Sequence, residues 1–195
     1  VTAFLEGEKN EKLEEIREEL ELFHQLTLTL RQRRDERGAM DFGSNEPEFI
    51  LDESGWPIDV RPREQGIANY MIEEAMILTN EVVSQHFHWL QTPFLYRNHE
   101  KPDREKMVQL NQLLHSFGYL IRGSLDDVHP KQLNDLLKEM KGKPEEVVLR
   151  PMMLRYLKQA HYSETLEGHF GLALRYYSHF TAPIRRYSDL QIHRI

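Results

Sequence analysis

The 195-residue chain carries 32 acidic and 25 basic side chains and no cysteine, which excludes a disulfide framework, a zinc–thiolate centre and a cysteine nucleophile. No apolar run approaches the roughly 18 residues needed to span a bilayer, and Val1-Thr2-Ala3-Phe4 has no signal-peptide character, so a chain without a membrane span, cytoplasmic in location, is expected. The net charge of −7 hides an uneven distribution: residues 1–49 hold 13 acidic and 7 basic side chains, whereas residues 150–195 hold 7 basic and 3 acidic. The basic end suits phosphate and the acidic end suits solvent.

In chain order, Glu8 to Arg37 reads as a long helix, because Leu13, Ile16, Leu20, Phe23, Thr27 and Leu30 follow an alternating three-four spacing. This heptad seam would pack on the rest of the domain or, alternatively, serve a helical interaction module. Glu48 to Leu51 and Trp56 to Arg61, joined by Asp52-Glu53-Ser54-Gly55, form a candidate hairpin. Gly66 to Leu90 is a second helix, in which Glu73 shares a neighbouring face with Asn69, Ile77 and Asn80. Such a line of carboxylate and amides can bond ribose hydroxyls, or it can be an ordinary surface pair. Phe94 to His99 reads as a short strand, and Pro102 to Phe117, Pro130 to Met140 and Pro144 to Ala160 as three proline-started helices. The ten histidines look dispersed: His86 and His88 fall on different sides of a helix, no His-Glu-x-x-His occurs, and no metal site is expected. Asp126-Asp127 is the sole adjacent aspartate pair.

The C-terminal stretch is the most informative. His169 to Leu174 suits a short strand, with Gly171 permitting close backbone approach. Pro183 fits the first position of a helix whose opening turn carries Arg185 and Arg186, and Asp189 lies four residues beyond Arg185, where it could orient that guanidinium. A helix start with two arginines is a place to bind an anion, although a surface helix with ordinary salt bridges has the same pattern.

Four elements in order carry a family resemblance: Arg37-Gly38-Ala39-Met40-Asp41-Phe42, Ile72-Glu73-Glu74-Ala75-Met76-Ile77-Leu78-Thr79-Asn80, Leu154-Arg155-Tyr156-Leu157-Lys158-Gln159-Ala160, and His169-Phe170-Gly171-Leu172 leading to Thr181-Ala182-Pro183-Ile184-Arg185-Arg186-Tyr187-Ser188-Asp189. Together they resemble the catalytic RNB domain of the ribonuclease R and ribonuclease II family, with the ribonuclease R branch the nearer fit. The resemblance implies an α+β fold, mostly helical with short strands and a hairpin, and residues 1–195 as the C-terminal portion of one RNB catalytic domain. It implies processive 3′-to-5′ hydrolysis of single-stranded RNA to nucleoside 5′-monophosphates, with Mg2+ held by aspartates upstream of this sequence. Arg185 would be the catalytic residue. Phe42 would stack on a base as an RNA clamp, where the residue-level alternative is a core aromatic. Glu73 would contact ribose in preference to Glu74, and Arg186 and Tyr187 would add RNA contacts. No aspartate cluster of the family's kind occurs here, so the chain alone is expected to be inactive, and a non-catalytic RNA-binding relative is the alternative. Two departures stand out: Ala182 replaces the expected serine, leaving Thr181 as the substitute N-cap, and Ser188 replaces the expected proline.

Overall fold

The computed structural model describes residues 1–42, 47–63 and 65–195. The fold is α+β and mostly helical, with eight α-helices, one 3-10 turn and two small sheets among the described residues. The chain divides into two compact units, residues 1–28 with 43–73 and residues 29–42 with 74–195.

In the first unit α1 (Thr2–Leu5) and α2 (Glu11–Glu14) precede the start of α3 (Arg17–Arg37). The long helix expected from Glu8 begins later because the Asn10 side chain accepts from the Lys12 and Leu13 N–H groups and caps α2. It also breaks at Glu15 and Ile16, where the Ile16 N–H bonds back three residues to Leu13 (3.2 Å), and Ile16 is left 45 % exposed. The heptad seam is therefore not one continuous stripe. Phe4 is buried with the Arg17 guanidinium over its ring, and the Thr2 hydroxyl accepts from the Ala68 N–H at the start of α4 (Ile67–Trp89). The hairpin forms as expected, β1 (Pro47–Leu51) against β2 (Pro57–Pro62) with Phe49 opposite Val60. Its turn is held by Asp52, whose carboxylate accepts from the Ser54 hydroxyl and the Ser54 and Trp56 N–H groups, while Gly55 takes the positive φ.

The second unit holds the main core. α5 (Arg104–Ser116), α6 (Pro130–Met140) and α7 (Glu146–Tyr156) bury Met107, Leu110 and Leu114, then Leu133, Leu137 and Met140, then Leu149 and Met153. Spacings of three and four put each set on one helical face, so the faces close on one another. Pro130 opens α6 behind His129, which forms a capping box with Gln132. A smaller cluster of Phe94, Tyr96 and Ile192 packs with Phe87 and Phe180 beneath a two-stranded sheet of β3 (Tyr96–Asn98) and β4 (His161–Ser163).

The expected strand from His169 to Leu174 is instead a closed loop around a 3-10 turn, Phe170–Leu172. His169 and Leu174 exchange backbone hydrogen bonds (2.7 and 3.2 Å), the His169 imidazole accepts from the Leu172 N–H, and Ala173 turns the chain at φ 51°. Gly171 does serve close approach: its N–H donates to His99 Nδ1 (3.1 Å), and an added Cβ would meet that ring at 2.9 Å.

Candidate functional site

The segment Tyr177 to Arg186 is irregular, so its shape depends on bonds to the elements around it. Ser178, fully buried, donates its hydroxyl to the Leu95 carbonyl. Asn80 of α4, also buried, accepts from the Phe180 N–H (2.9 Å) and donates to the Tyr177 hydroxyl (3.3 Å). The Phe180 ring stacks on His193 with centroids 3.9 Å apart. The Asn80 amide is thus engaged within the fold, with one N–H donating to Tyr177 and its carbonyl accepting from Phe180.

The next anchor is Asp189. Its side chain is wholly buried and accepts from the Ala182 N–H (2.8 Å), Arg186 Nε (3.0 Å) and the Ser188 hydroxyl (3.1 Å). Burial alone would raise this carboxyl, but the Ala182 N–H and the Arg186 guanidinium outweigh it and hold the group below its usual range. These bonds correct the sequence reading in three respects. The helix begins at Tyr187, not at Pro183: α8 is Tyr187–Ile192, and residues 183–185 form a turn in which the Arg185 and Arg186 N–H groups both bond the Ala182 carbonyl. Asp189 pairs with Arg186, not Arg185, because Arg186 is extended (φ −130°, ψ 119°) and the helical i,i+4 spacing does not apply across it. Thr181 does not act as the cap; its hydroxyl is buried and has no hydrogen-bond partner among the described residues. A six-residue helix is too short to offer a dipole site for an anion.

Arg185 itself is exposed and forms no ion pair among the described residues. Tyr187 is 71 % exposed, its hydroxyl bonded to the Gln191 amide one turn on. Phe42 is partly buried and packs against the main core, its carbonyl accepting from Arg150. Glu73 is half-buried, whereas Glu74 is buried with Arg34 at 3.1 Å and Arg31 at 3.9 Å. The difference between these two glutamates follows their helical faces, since Glu74 lies three residues after the buried Met71, on the inward stripe.

The structure also gathers residues that sequence reading left scattered. His169, Tyr177 and His179 form an edge-to-face chain with centroid separations of 5.0 and 5.8 Å, His99 sits 5.1 Å from His169, and Tyr162 bonds His179 (2.6 Å). Burial lowers His169 to about 3 and His179 to about 4, with the charge of nearby arginines adding to the effect on His179. Both imidazoles are neutral at pH 7. Neither residue lies in a helix or a named strand, so no period of the sequence relates them and only the fold brings them together.

For a metal, Glu100, His161 and Glu167 offer ligand atoms within 4.8 Å of one another. They do not fit magnesium. The Lys158 ammonium already lies 2.7 Å from the Glu100 carboxylate, and a set of one imidazole and two carboxylates lacks the oxygen-rich octahedral donor set that ion demands. Asp126 and Asp127 are exposed and paired with Arg104 and Lys101. No described helix is long and apolar enough to cross a membrane.

The family model for the RNB domain matches residues 1–195. The chain belongs to the RNB domain family. The RNB chain is 42 % identical over 185 residues to ribonuclease R 1 of Lactococcus lactis, covering 95 % of itself and 23 % of that protein. It is 44 % identical over 172 residues to ribonuclease R of Thermotoga maritima, covering 88 % of itself and 24 % of that protein. It therefore spans about a quarter of the length of these relatives. Its fold is similar to that of Mycoplasma genitalium RNase R in complex with ribose-methylated single-stranded RNA, with a TM-score of 0.90 and 29 % identity over 99 % of this chain and 30 % of that one. It is also similar to yeast Ssd1, described as a pseudonuclease, with a TM-score of 0.58 and 25 % identity over 67 % of this chain and 16 % of that one.

Proposed function

We infer that this RNB chain is part of an exoribonuclease that degrades single-stranded RNA processively, 3′ to 5′, releasing nucleoside 5′-monophosphates. The observation that carries the reading is Arg185, an exposed guanidinium with no ion pair among the described residues, on a turn pinned by two buried side chains, Asn80 and Asp189. A free, permanently charged fork on a fixed backbone can offset charge developing on a scissile phosphate, and such preorganised donors contribute on the order of 3 kcal/mol. Support comes from the ribonuclease R relatives and from the likeness to an RNase R structure that holds single-stranded RNA. In this reading Glu73 contacts a ribose 2′-hydroxyl, the exposed part of Phe42 meets a base, and Arg186 and Tyr187 flank the strand. A magnesium requirement belongs to the reading as well, with its ligands outside these residues, so that the chain alone binds RNA without cleaving it.

The likeness to a pseudonuclease favours a second reading, an RNA-binding protein without hydrolytic chemistry. One experiment separates them. In the protein that carries this chain, Arg185→Ala is expected to lower single-turnover cleavage of labelled RNA about a hundredfold while changing RNA affinity little, because only an interaction stronger in the transition state accelerates chemistry. Arg185→Lys should rescue poorly, since it keeps the charge and loses the planar fork. Loss of affinity with an unchanged rate at saturating protein removes Arg185 from catalysis, and absence of cleavage by the unmodified protein in magnesium establishes the second reading.

A further inference from the structure

Arg97 has no part in the site described so far. It lies in β3, and β3 pairs with β4 so that Arg97 stands opposite Tyr162. Side chains alternate across a strand, so Arg97 and Tyr162 share one face of the sheet, while Asn98 and its partner His161 share the other with Glu100 and Glu167. The carboxylates of this sheet thus lie away from Arg97. Its guanidinium stacks on Tyr162, with Cζ 4.7 Å from the ring centroid, and no carboxylate or carbonyl bonds it among the described residues. It is half-buried. A partly desolvated cation without a counter-charge is an expensive thing for a fold to keep, and an anionic ligand removes the deficit.

The surroundings favour an oxyanion. The backbone N–H of Arg97 donates to the Tyr177 carbonyl (2.9 Å), which joins β3 to the segment bearing Arg185. The Tyr162 hydroxyl lies 2.6 Å from His179 Nδ1. With that hydroxyl donating to Nδ1 of the neutral ring, Nε2 carries the imidazole proton and is a donor. Asp189, an acid whose charge acts on His179, is already bonded to Arg186. We propose that Arg97, Tyr162 and His179 form a second anion subsite beside the Arg185 turn, which takes a backbone phosphate of the bound RNA. This rests on the RNA reading above and adds to it a site for a phosphate other than the scissile one.

The test is the binding of a fluorescein-labelled oligoadenylate to this chain, measured by anisotropy across a range of salt concentrations. Arg97→Gln is expected to weaken binding about tenfold and to lower the slope of log affinity against log salt by about 0.7, the share of one phosphate contact on a single strand. Arg97→Lys should keep the slope and lose part of the affinity. If Arg97 only staples β3 to β4, Arg97→Gln lowers the melting temperature and leaves the salt slope unchanged, which overturns the subsite. Salt-dependent binding by the unmodified chain with an unchanged slope and affinity in Arg97→Gln overturns the subsite alone and leaves the RNA reading intact. No binding by the unmodified chain overturns both. Should Arg97→Gln fail to fold, Tyr162→Phe carries the test: it keeps the stacked ring, removes the hydroxyl that orients His179, and is expected to weaken binding about threefold, with unchanged affinity counting against the proposal.

Discussion

Asp189 decides the shape of the arginine turn, and it does so as a single buried carboxylate with three donors. Removing it would leave the Ala182 N–H unpaired and the Arg186 guanidinium, 21 % exposed, without its counter-charge. Losing one member of a buried pair is far worse than losing both, because the survivor remains desolvated. Asp189→Ala is therefore expected to destabilise the chain by about 3 kcal/mol in urea unfolding, and Asp189→Asn by less, since the amide oxygen still accepts from Ala182. Equal midpoints for the two variants would show that volume, not hydrogen bonding, matters at this position. The carboxylate was legible in the sequence only as a partner for an arginine. Which arginine it takes follows from the extended backbone of Arg186, which no spacing rule foretells.

At the scale of elements, the end of α3 is set where it meets α6. Gly38 turns the chain out of α3 at φ 90°, its N–H bonding the Asp35 carbonyl (2.9 Å), and an added Cβ would overlap the Lys131 backbone in the first turn of α6. Asp35, in the last turn of α3, reaches the same helix, bonding Lys138 (2.5 Å) and Asn134 (3.1 Å). Gly38→Ala thus adds left-handed backbone strain to a steric overlap with main chain, which has no rotamer to escape into. An expected loss of about 3 kcal/mol of stability, checked by denaturant unfolding, contrasts with Gly118→Ala. That glycine also has positive φ but opens on empty space, and its replacement should lose only about 1 kcal/mol. Comparable losses at both positions would mean that backbone strain alone accounts for Gly38. The helices of the main core were legible from the prolines at or just before their starts, to within a few residues. The loop at His169 was not, because apolar residues flanking a glycine suit a strand and a tight loop equally well, and the His99 imidazole seated on Gly171 selects between them.

For the molecule as a whole, the half-buried His169 and His179 set an acid limit on stability. His169 titrates near 3 and His179 near 4 in the folded chain, against an ordinary value of 6.5. Below 6.5 the unfolded state binds protons that the folded state refuses, so stability is complete above that pH and falls as pH drops toward 3. Asp189 and Asp35, both held below the usual carboxylate range, lose stability in the same direction at the lower end. Every tenfold difference in proton affinity between folded and unfolded chain corresponds to about 1.4 kcal/mol, so a decline on the order of a few kcal/mol is expected between neutral and strongly acidic pH. Replacing His169 with Gln should flatten the upper part of that decline in melting temperature. A His169→Gln profile parallel to that of the unmodified chain between pH 7 and 4 would deny the imidazole this role.

By itself the sequence determined the fold class, the positions of the hairpin and the core helices, and the membership of a family through four ordered motifs, because those are matters of local period and of residue order. Tertiary structure decided the rest. It placed Arg186 and not Arg185 on Asp189, turned Asn80 inward to hold Tyr177 and Phe180, and joined Arg97, Tyr162 and His179 across three separate segments. The physical reason is the same in each case. A polar side chain withdrawn from water must find its partner wherever the fold supplies one, and that partner is as often about a hundred residues away, as Asn80 is from Phe180, as within one turn.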